Sequence, residues 1–313
     1  MIINSQPGIL LDSLFARRVV LVSGKGGVGR TVCAAALARA AATRGRRVLV
    51  ADLEEASSER RSALARLYGR DQLPRDPIAV GPNVDGVLVQ TEYGAELFLR
   101  SIFKAKSLVG LAMRSRSLQR LLYAAPSFRE MGMFFHLLHL LELTDRGRPV
   151  YDYVVADLPA TGHALAMTSL PDILLRLMPS GPVAEAFHRG QALLNNAAVT
   201  ASWVVTLPES LPVSETLELL DGFRRTNMPL GGVLVNRMPA NPFSLAEREA
   251  LVSALGNRQV RGLRGLHRIT QSEGALERLR AGTDLPISVL PEFAVEGQAL
   301  VAELSQKLLE GQR

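Results

Sequence analysis

The chain has 313 residues, 47% of them hydrophobic and 21% charged, which supplies apolar material for one large or two small packed domains and excludes a disordered chain. Its one cysteine, Cys33, excludes an intrachain disulfide and any zinc site built from a cysteine pair of a single chain. A formal net charge of +6 and a pI near 9.9 suit an anionic ligand, though also nucleic acid or an acidic membrane surface. The arginine clusters "RGRR" (Arg44, Arg46, Arg47) and "RQVRGLRGLHR" (258–268) read as solvated basic faces. The start, "MIINSQPGILLDSLFARR", lacks a basic segment followed by an apolar run. The uncharged stretch from Gly190 to Pro208 carries Gln191, Asn195, Asn196 and Ser202, too polar for a membrane span. The expectation is a soluble cytoplasmic protein with no transmembrane segment.

In chain order, "RRVVLVSG" (17–24) reads as a buried strand entering a glycine-rich turn. "TVCAAALARAAATRG" follows as a helix of strong helix formers closed by Gly45, and "RRVLVAD" (46–52) as a second buried strand ending in Asp52. Further strands are expected at 84–92, 151–158, 201–207, 230–237 and 285–291, with helical patterns between most of them. This alternation predicts an α/β fold, a doubly wound and mostly parallel sheet with helices on both faces. Ligands on such sheets gather at the carboxyl ends of the strands, where Gly24, Asp52 and Asp157 fall. The stretch from Tyr93 to Arg148 differs: it reads as successive helices without a strand. The expected organisation is a nucleotide-binding domain of residues 1–92 and 149–313 with a helical insertion at 93–148, and 170–200 is the candidate source of further helices for it.

"SGKGGVGRT" (23–31) is almost the phosphate-binding turn G-x-x-x-x-G-K-[ST]. Gly24, Gly29 and Thr31 fit it, but Arg30 stands where the pattern has lysine. Such glycines let successive backbone N–H groups point at phosphate oxygens, and the following helix adds its positive end. Gly24, Gly26, Gly27, Val28, Gly29, Arg30, Thr31 and Val32 are therefore expected to hold the phosphates. Thr31 and Asp157 are the expected ligands of Mg²⁺, and Asp52 is expected to act on water. His136 and His139 share one helix face at a metal-pair spacing but read better as core histidines. Met131, Phe134, Phe135 and Leu138 are expected to form an apolar surface for a partner, with plain core packing as the rival reading.

Several of these motifs together resemble a known family. Lys25, directly after the first glycine, resembles the deviant Walker A form, in which this lysine reaches across a dimer interface to the partner's phosphates. "DLPATGHALAMTSLP" (157–171) is similar to the switch II segment of the ArsA-type anion-transporting ATPases, the arsenite-pump ATPase and the ATPase that targets tail-anchored membrane proteins. Asp157, Pro159, Thr161, Gly162, His163 and Leu165 match it. "APSFREM" (125–131) keeps Pro126 and Glu130 of another family segment, and "TLPESLPVSETLELL" (206–220) resembles the P-E…E-T segment. Asn236 matches the asparagine that holds adenine, and "LPEFAVEGQAL" (290–300) resembles the loop that closes over the base, which adds Pro291 and Phe293 to the expected contacts. The resemblance implies a dimeric P-loop ATPase that binds ATP or ADP with Mg²⁺, as a homodimer or with a paralogue, and acts on a hydrophobic or membrane-protein client.

Three departures qualify that implication. Arg30 replaces the P-loop lysine. Switch I reads "DLEEASSE" (52–59), keeping Asp52 and losing the family's proline, histidine and asparagine. The interval from Leu170 to Ala201 is short, and the cysteines of the relatives' zinc and metalloid sites are missing. Lys25 and Asp52 are the catalytic candidates, with hydrolysis expected to be weak or absent. Two alternatives share Lys25: an impaired regulatory subunit of a paralogous ATPase, and a DNA-binding partitioning ATPase. The histidine in switch II and the helical insertion argue against the second, so nucleic acid is not the expected partner.

Overall fold

A computed structural model describes residues 14–53, 62–102, 128–159, 175–176, 179–255 and 261–310. Its centre is an eight-stranded sheet in the order β10-β9-β8-β1-β7-β2-β4-β3. The strands are β1 (Val19–Gly24), β2 (Val48–Asp52), β3 (Ile78–Gly81), β4 (Val84–Leu88), β7 (Tyr153–Asp157), β8 (Thr200–Thr206), β9 (Leu230–Met238) and β10 (Ile287–Pro291). All neighbours run parallel except the edge pair β3–β4. The inner strands are rich in β-branched residues and buried along their whole length, as a parallel sheet covered on both faces requires.

The two faces divide the core by alternate residues. Val19, Leu21, Leu49, Ala51, Val154 and Ala156 point to one side. There they meet α3 (Thr91–Ile102), α4 (Phe128–Leu141), α5 (Pro182–Leu194), α6 (Ser210–Arg225) and α8 (Arg261–Gly282). Val20, Val22, Val48, Val50, Tyr153 and Val155 point to the other, against α1 (Arg30–Thr43), α2 (Ala63–Leu67) and α9 (Gly297–Glu310). α7 (Leu245–Leu255) precedes α8. Seven alanines of α1 are buried, and their small side chains let the helix lie close between the sheet and α9. The expected α/β doubly wound sheet is the observed one.

Two expectations need correcting. The stretch before β7 holds a short hairpin, β5 (Thr144–Asp145) with β6 (Arg148–Pro149). Arg146 and Gly147 both have positive φ in its two-residue turn, the primed geometry that hairpins favour. Two exposed residues per strand are too few to leave a period in the sequence. The apolar partner surface also fails: Met131, Phe134, Phe135 and Leu138 are all buried. Phe187 of α5 packs on Phe134 and Phe135 with ring centroids 5.3 and 5.2 Å apart, and Phe98 of α3 meets Phe135 edge to face at 5.1 Å. A helix apolar around most of its circumference is covered on most sides, here by the sheet, α3 and α5. α3 and α4 meet at Gly94 and Gly132, where a Cβ on either would strike the other helix's backbone.

His136, fully buried on α4, ties three elements together. Its Nδ1 accepts a hydrogen bond from the Gln90 N–H at 2.9 Å, and its Nε2 faces the Arg75 carbonyl at 3.2 Å as the donor of the neutral ring. Tyr93 packs edge-on against it and carries the Arg75 guanidinium on its own face. Burial is the main cause that pushes the imidazole down to about 4, helped by the charge of His139 and opposed by the bonds to Arg75 and Gln90 and by Asp76. Among the described residues no cluster of ligating side chains could hold a metal, and His136 is a core histidine. Because its folded value lies below its unfolded one, its contribution is complete above about pH 6.5 and is lost as pH falls towards 4. Urea unfolding should show about 2 kcal/mol lost from this group between pH 7 and pH 5. His136→Gln, which can make both bonds but cannot take up a proton, should remove that share of the pH dependence.

Candidate functional site

β1, β7 and β2 lie side by side, and each delivers a site residue at its carboxyl end. Asp52 and Asp157 are register partners, and Asp157 also pairs with Val22 of β1. Between Gly24 and Arg30 the chain turns from β1 into α1. Gly24 has φ +155°, and a Cβ there would lie 2.5 Å from the Val205 carbonyl of β8. Gly29 caps α1 with φ +88°, and a Cβ there would strike the Asn236 amide. Gly26 is different. It is exposed, its φ lies outside the left-handed region and a Cβ there would meet nothing within 4 Å. The protein's own packing does not demand glycine at this position.

Asp157 is buried and Arg30 nearly so, at 4% and 15% side-chain exposure. Arg30 Nε donates to Asp157 Oδ1 at 3.0 Å and Arg30 Nη1 donates to the Gly24 carbonyl at 2.8 Å. The guanidinium is thus folded back across the loop onto the strand ends. Burial raises the Asp157 carboxyl to about 6; the Arg30 charge and a hydrogen bond from Thr31 pull it down, and the neighbouring Asp52 pushes it up. Behind the loop, burial first and then the Asp157 charge raise the Cys33 thiol to about 12. An un-ionised buried thiol of this kind is core filler.

Asp52 is buried, and Ser62 Oγ donates to its Oδ2 at 2.5 Å while accepting the Ala65 N–H as the cap of α2. Lys25 is half exposed and its ammonium pairs with Glu215 of α6 at 3.3 Å. Asn236, at the end of β9, donates to the Val28 carbonyl at 2.9 Å and accepts from the Arg237 N–H at 3.0 Å. It therefore reaches the loop across β8. Pro291 and Phe293 lie beyond it, where β10 ends and Glu292 N–H bonds the Met238 carbonyl at 2.9 Å. Arg268 holds that segment through two bonds to Glu292 at 2.8 and 2.9 Å. Val28 is buried in the core behind the loop and Val32 is partly so, which leaves their backbone as what they can offer a phosphate.

Residues 17–181 match the family model described as anion-transporting ATPase. The chain belongs to the anion-transporting ATPase family. It is 32% identical over 232 residues to ATPase BagA of Mycobacterium tuberculosis, covering 72% of this chain and 66% of that one. It is 23% identical over 274 residues to ATPase GET3C of Arabidopsis thaliana, covering 72% and 68%. It is 23% identical over 243 residues to the putative arsenical pump-driving ATPase 1 of Aquifex aeolicus, covering 74% and 58%. The match thus spans about two thirds or less of these relatives' own lengths.

For an ATPase of this family, Asp157 and Thr31 offer the hard oxygen donors that a magnesium ion prefers. As they stand they do not fit one: Arg30 and Thr31 already engage the Asp157 carboxylate. The sequence named Arg30 and Asp157 separately, and nothing in it signalled that they pair. It missed Ser62 altogether and gave Glu215 no role, although Glu215 stands in the quoted "SET". The switch II residues Thr161, Gly162, His163 and Leu165, and switch I residues 54–59, lie outside the described residues, as does Pro126. No described helix is long and apolar enough to cross a membrane. Gly29→Ala should cost about 1–3 kcal/mol of stability in urea unfolding, from the left-handed backbone and the displaced Asn236, whereas Gly26→Ala should stay within about 0.5 kcal/mol.

Proposed function

We propose that this chain is an adenine-nucleotide-binding switch that binds nucleotide better than it turns it over and works as a dimer. The observation that carries the reading is the loop 24–31, set between β1 and α1 at the carboxyl ends of the strands. Gly26 supports it: an exposed glycine that the fold itself does not need suits a close approach of ligand to backbone. Gly24, Gly26, Gly27, Val28, Gly29, Thr31 and Val32 would face phosphates, with ATP or ADP as the ligand. The adenine would lie towards Asn236, Pro291 and Phe293, and Asn236 would join base and phosphate ends through its bond to Val28.

Weak turnover is supported on two sides. Phosphoryl transfer needs charge neutralisation and in-line positioning at the γ-phosphate. A broad guanidinium already bonded to Asp157 and Gly24 does not serve there as a slim lysine does. Asp52, the candidate for orienting water, accepts a short bond from Ser62. Lys25 would serve a neighbouring subunit's phosphates, either a second copy or a paralogue that retains the P-loop lysine. In the second case this chain is the regulatory member of a pair, a role that its Arg30 favours. The names of the relatives speak of an arsenical pump and of GET3; a client of that kind would have to be met elsewhere than at Met131, Phe134, Phe135 and Leu138.

Steady-state turnover and nucleotide titration of the isolated chain test the reading. Nucleotide should bind, Gly26→Ala should weaken binding by about tenfold without a comparable loss of stability, and Arg30→Lys should raise turnover by about tenfold or more. Robust hydrolysis by the unmodified chain, lost in Lys25→Ala and not improved by Arg30→Lys, would overturn it.

A further inference from the structure

In P-loop NTPases generally, a carboxylate at the end of a strand goes to the metal ion and a basic loop side chain to the phosphates. Here the two jobs converge on one group. Arg30 Nε lies 3.0 Å from Asp157 Oδ1, and Nη1 lies 2.8 Å from the Gly24 carbonyl. A guanidinium has five N–H donors in a rigid plane. These two bonds spend two of them and leave three, carried by Nη1 and Nη2. Both anchors are fixed by the fold: Asp157 ends an inner strand buried on both faces, and Gly24 is wedged against Val205. The pair is enclosed, with the acid at 4% and the base at 15% exposure.

A divalent cation at Asp157 would stand against this guanidinium, and like charges so placed in a poorly solvated site repel strongly. Withdrawing Arg30 instead would leave a buried carboxylate to be compensated by the ion alone. Keeping Arg30 in place demands neither. A nucleotide phosphate seated over the loop can take the remaining N–H donors in charge-assisted bonds while Nε stays on Asp157. The arginine then links carboxylate to phosphate, which is the connection a metal ion otherwise supplies.

We propose that Arg30 is a built-in cation that takes the place of the divalent ion, so that this chain binds adenine nucleotide with little dependence on magnesium. The inference rests on the nucleotide-binding reading above. It concerns which group bridges Asp157 and the phosphates, and it involves no bond making or breaking.

The test is titration of a fluorescent ADP analogue in magnesium and in EDTA, for the unmodified chain and for Arg30→Lys. The unmodified chain should change affinity by less than about threefold on removing magnesium, while Arg30→Lys should weaken by about tenfold or more. Electron paramagnetic resonance with Mn²⁺ and ADP needs no variant: the unmodified chain should not bind Mn²⁺ beyond what ADP binds alone. A tenfold loss in EDTA for the unmodified chain would overturn the inference, as would protein-dependent immobilisation of Mn²⁺. An Arg30→Lys chain that is folded by circular dichroism and equally indifferent to magnesium would also overturn it. No nucleotide binding under either condition would instead sink the nucleotide reading, and the inference with it.

Discussion

A carboxylate at the end of a strand covered on both faces has no water to solvate it, and Asp157 is in that position. Its charge must be met from within the protein, and Arg30 meets it. Removing one member of such a buried pair costs about 3–5 kcal/mol, because the other is left uncompensated. The arrangement of the loop follows. The first residue of α1 is pinned to β7, Gly24 is fixed by the same guanidinium, and Asn236 secures Val28 from the other side. The turn is therefore stitched to three strands before any ligand arrives. Preformed cradles of this kind bind without a large ordering cost.

The same pair changes what a lysine-to-arginine replacement means. Lysine presents a point charge on a flexible stem, and its ammonium can follow a phosphate. Arginine presents a plane with directional donors, and in this fold two of those directions are taken by Asp157 and Gly24. Positive charge at the loop is conserved while its mobility is not. That separation sets binding, which needs charge, apart from transfer, which needs the charge to lie at a particular oxygen in the transition state. Asp52 shows a parallel commitment on β2, where Ser62 holds the carboxylate and caps α2 with the same hydroxyl.

The inner strands were legible because burial on both faces leaves continuous runs such as "VVLVSG", "VLVAD" and "YVVAD". Their terminal residues identified the carboxyl end of the sheet, and hence the site. β3 was not legible: four residues, half exposed, at an antiparallel edge carry neither a run nor a full alternation. The apolar face of α4 was visible, but its fate was not, since periodicity does not say what covers a face. Phe187 and Phe98 come from distant stretches. Side-chain pairing was least legible. Arg30 and Asp157 are 127 residues apart, and motif spacing defines where a backbone turns rather than whom a guanidinium meets.

The loop carries two cations, and their surroundings assign them different freedoms. Arg30 is buried against a buried acid, so exchanging its partner means desolvating or stranding a charge. Lys25 is half exposed against Glu215, which is itself only partly covered. An exposed pair of that kind is worth about 0–1 kcal/mol. An incoming anion therefore meets little resistance in drawing Lys25 away from α6, whereas drawing Arg30 from β7 would undo the stitching of the loop. Of the two cations, Lys25 is therefore the one free to exchange its partner, with the Arg30 side as the fixed support. Drawing Lys25 away would free Glu215 on α6 and leave the Asp157–Arg30 pair, and with it the cradle, in place.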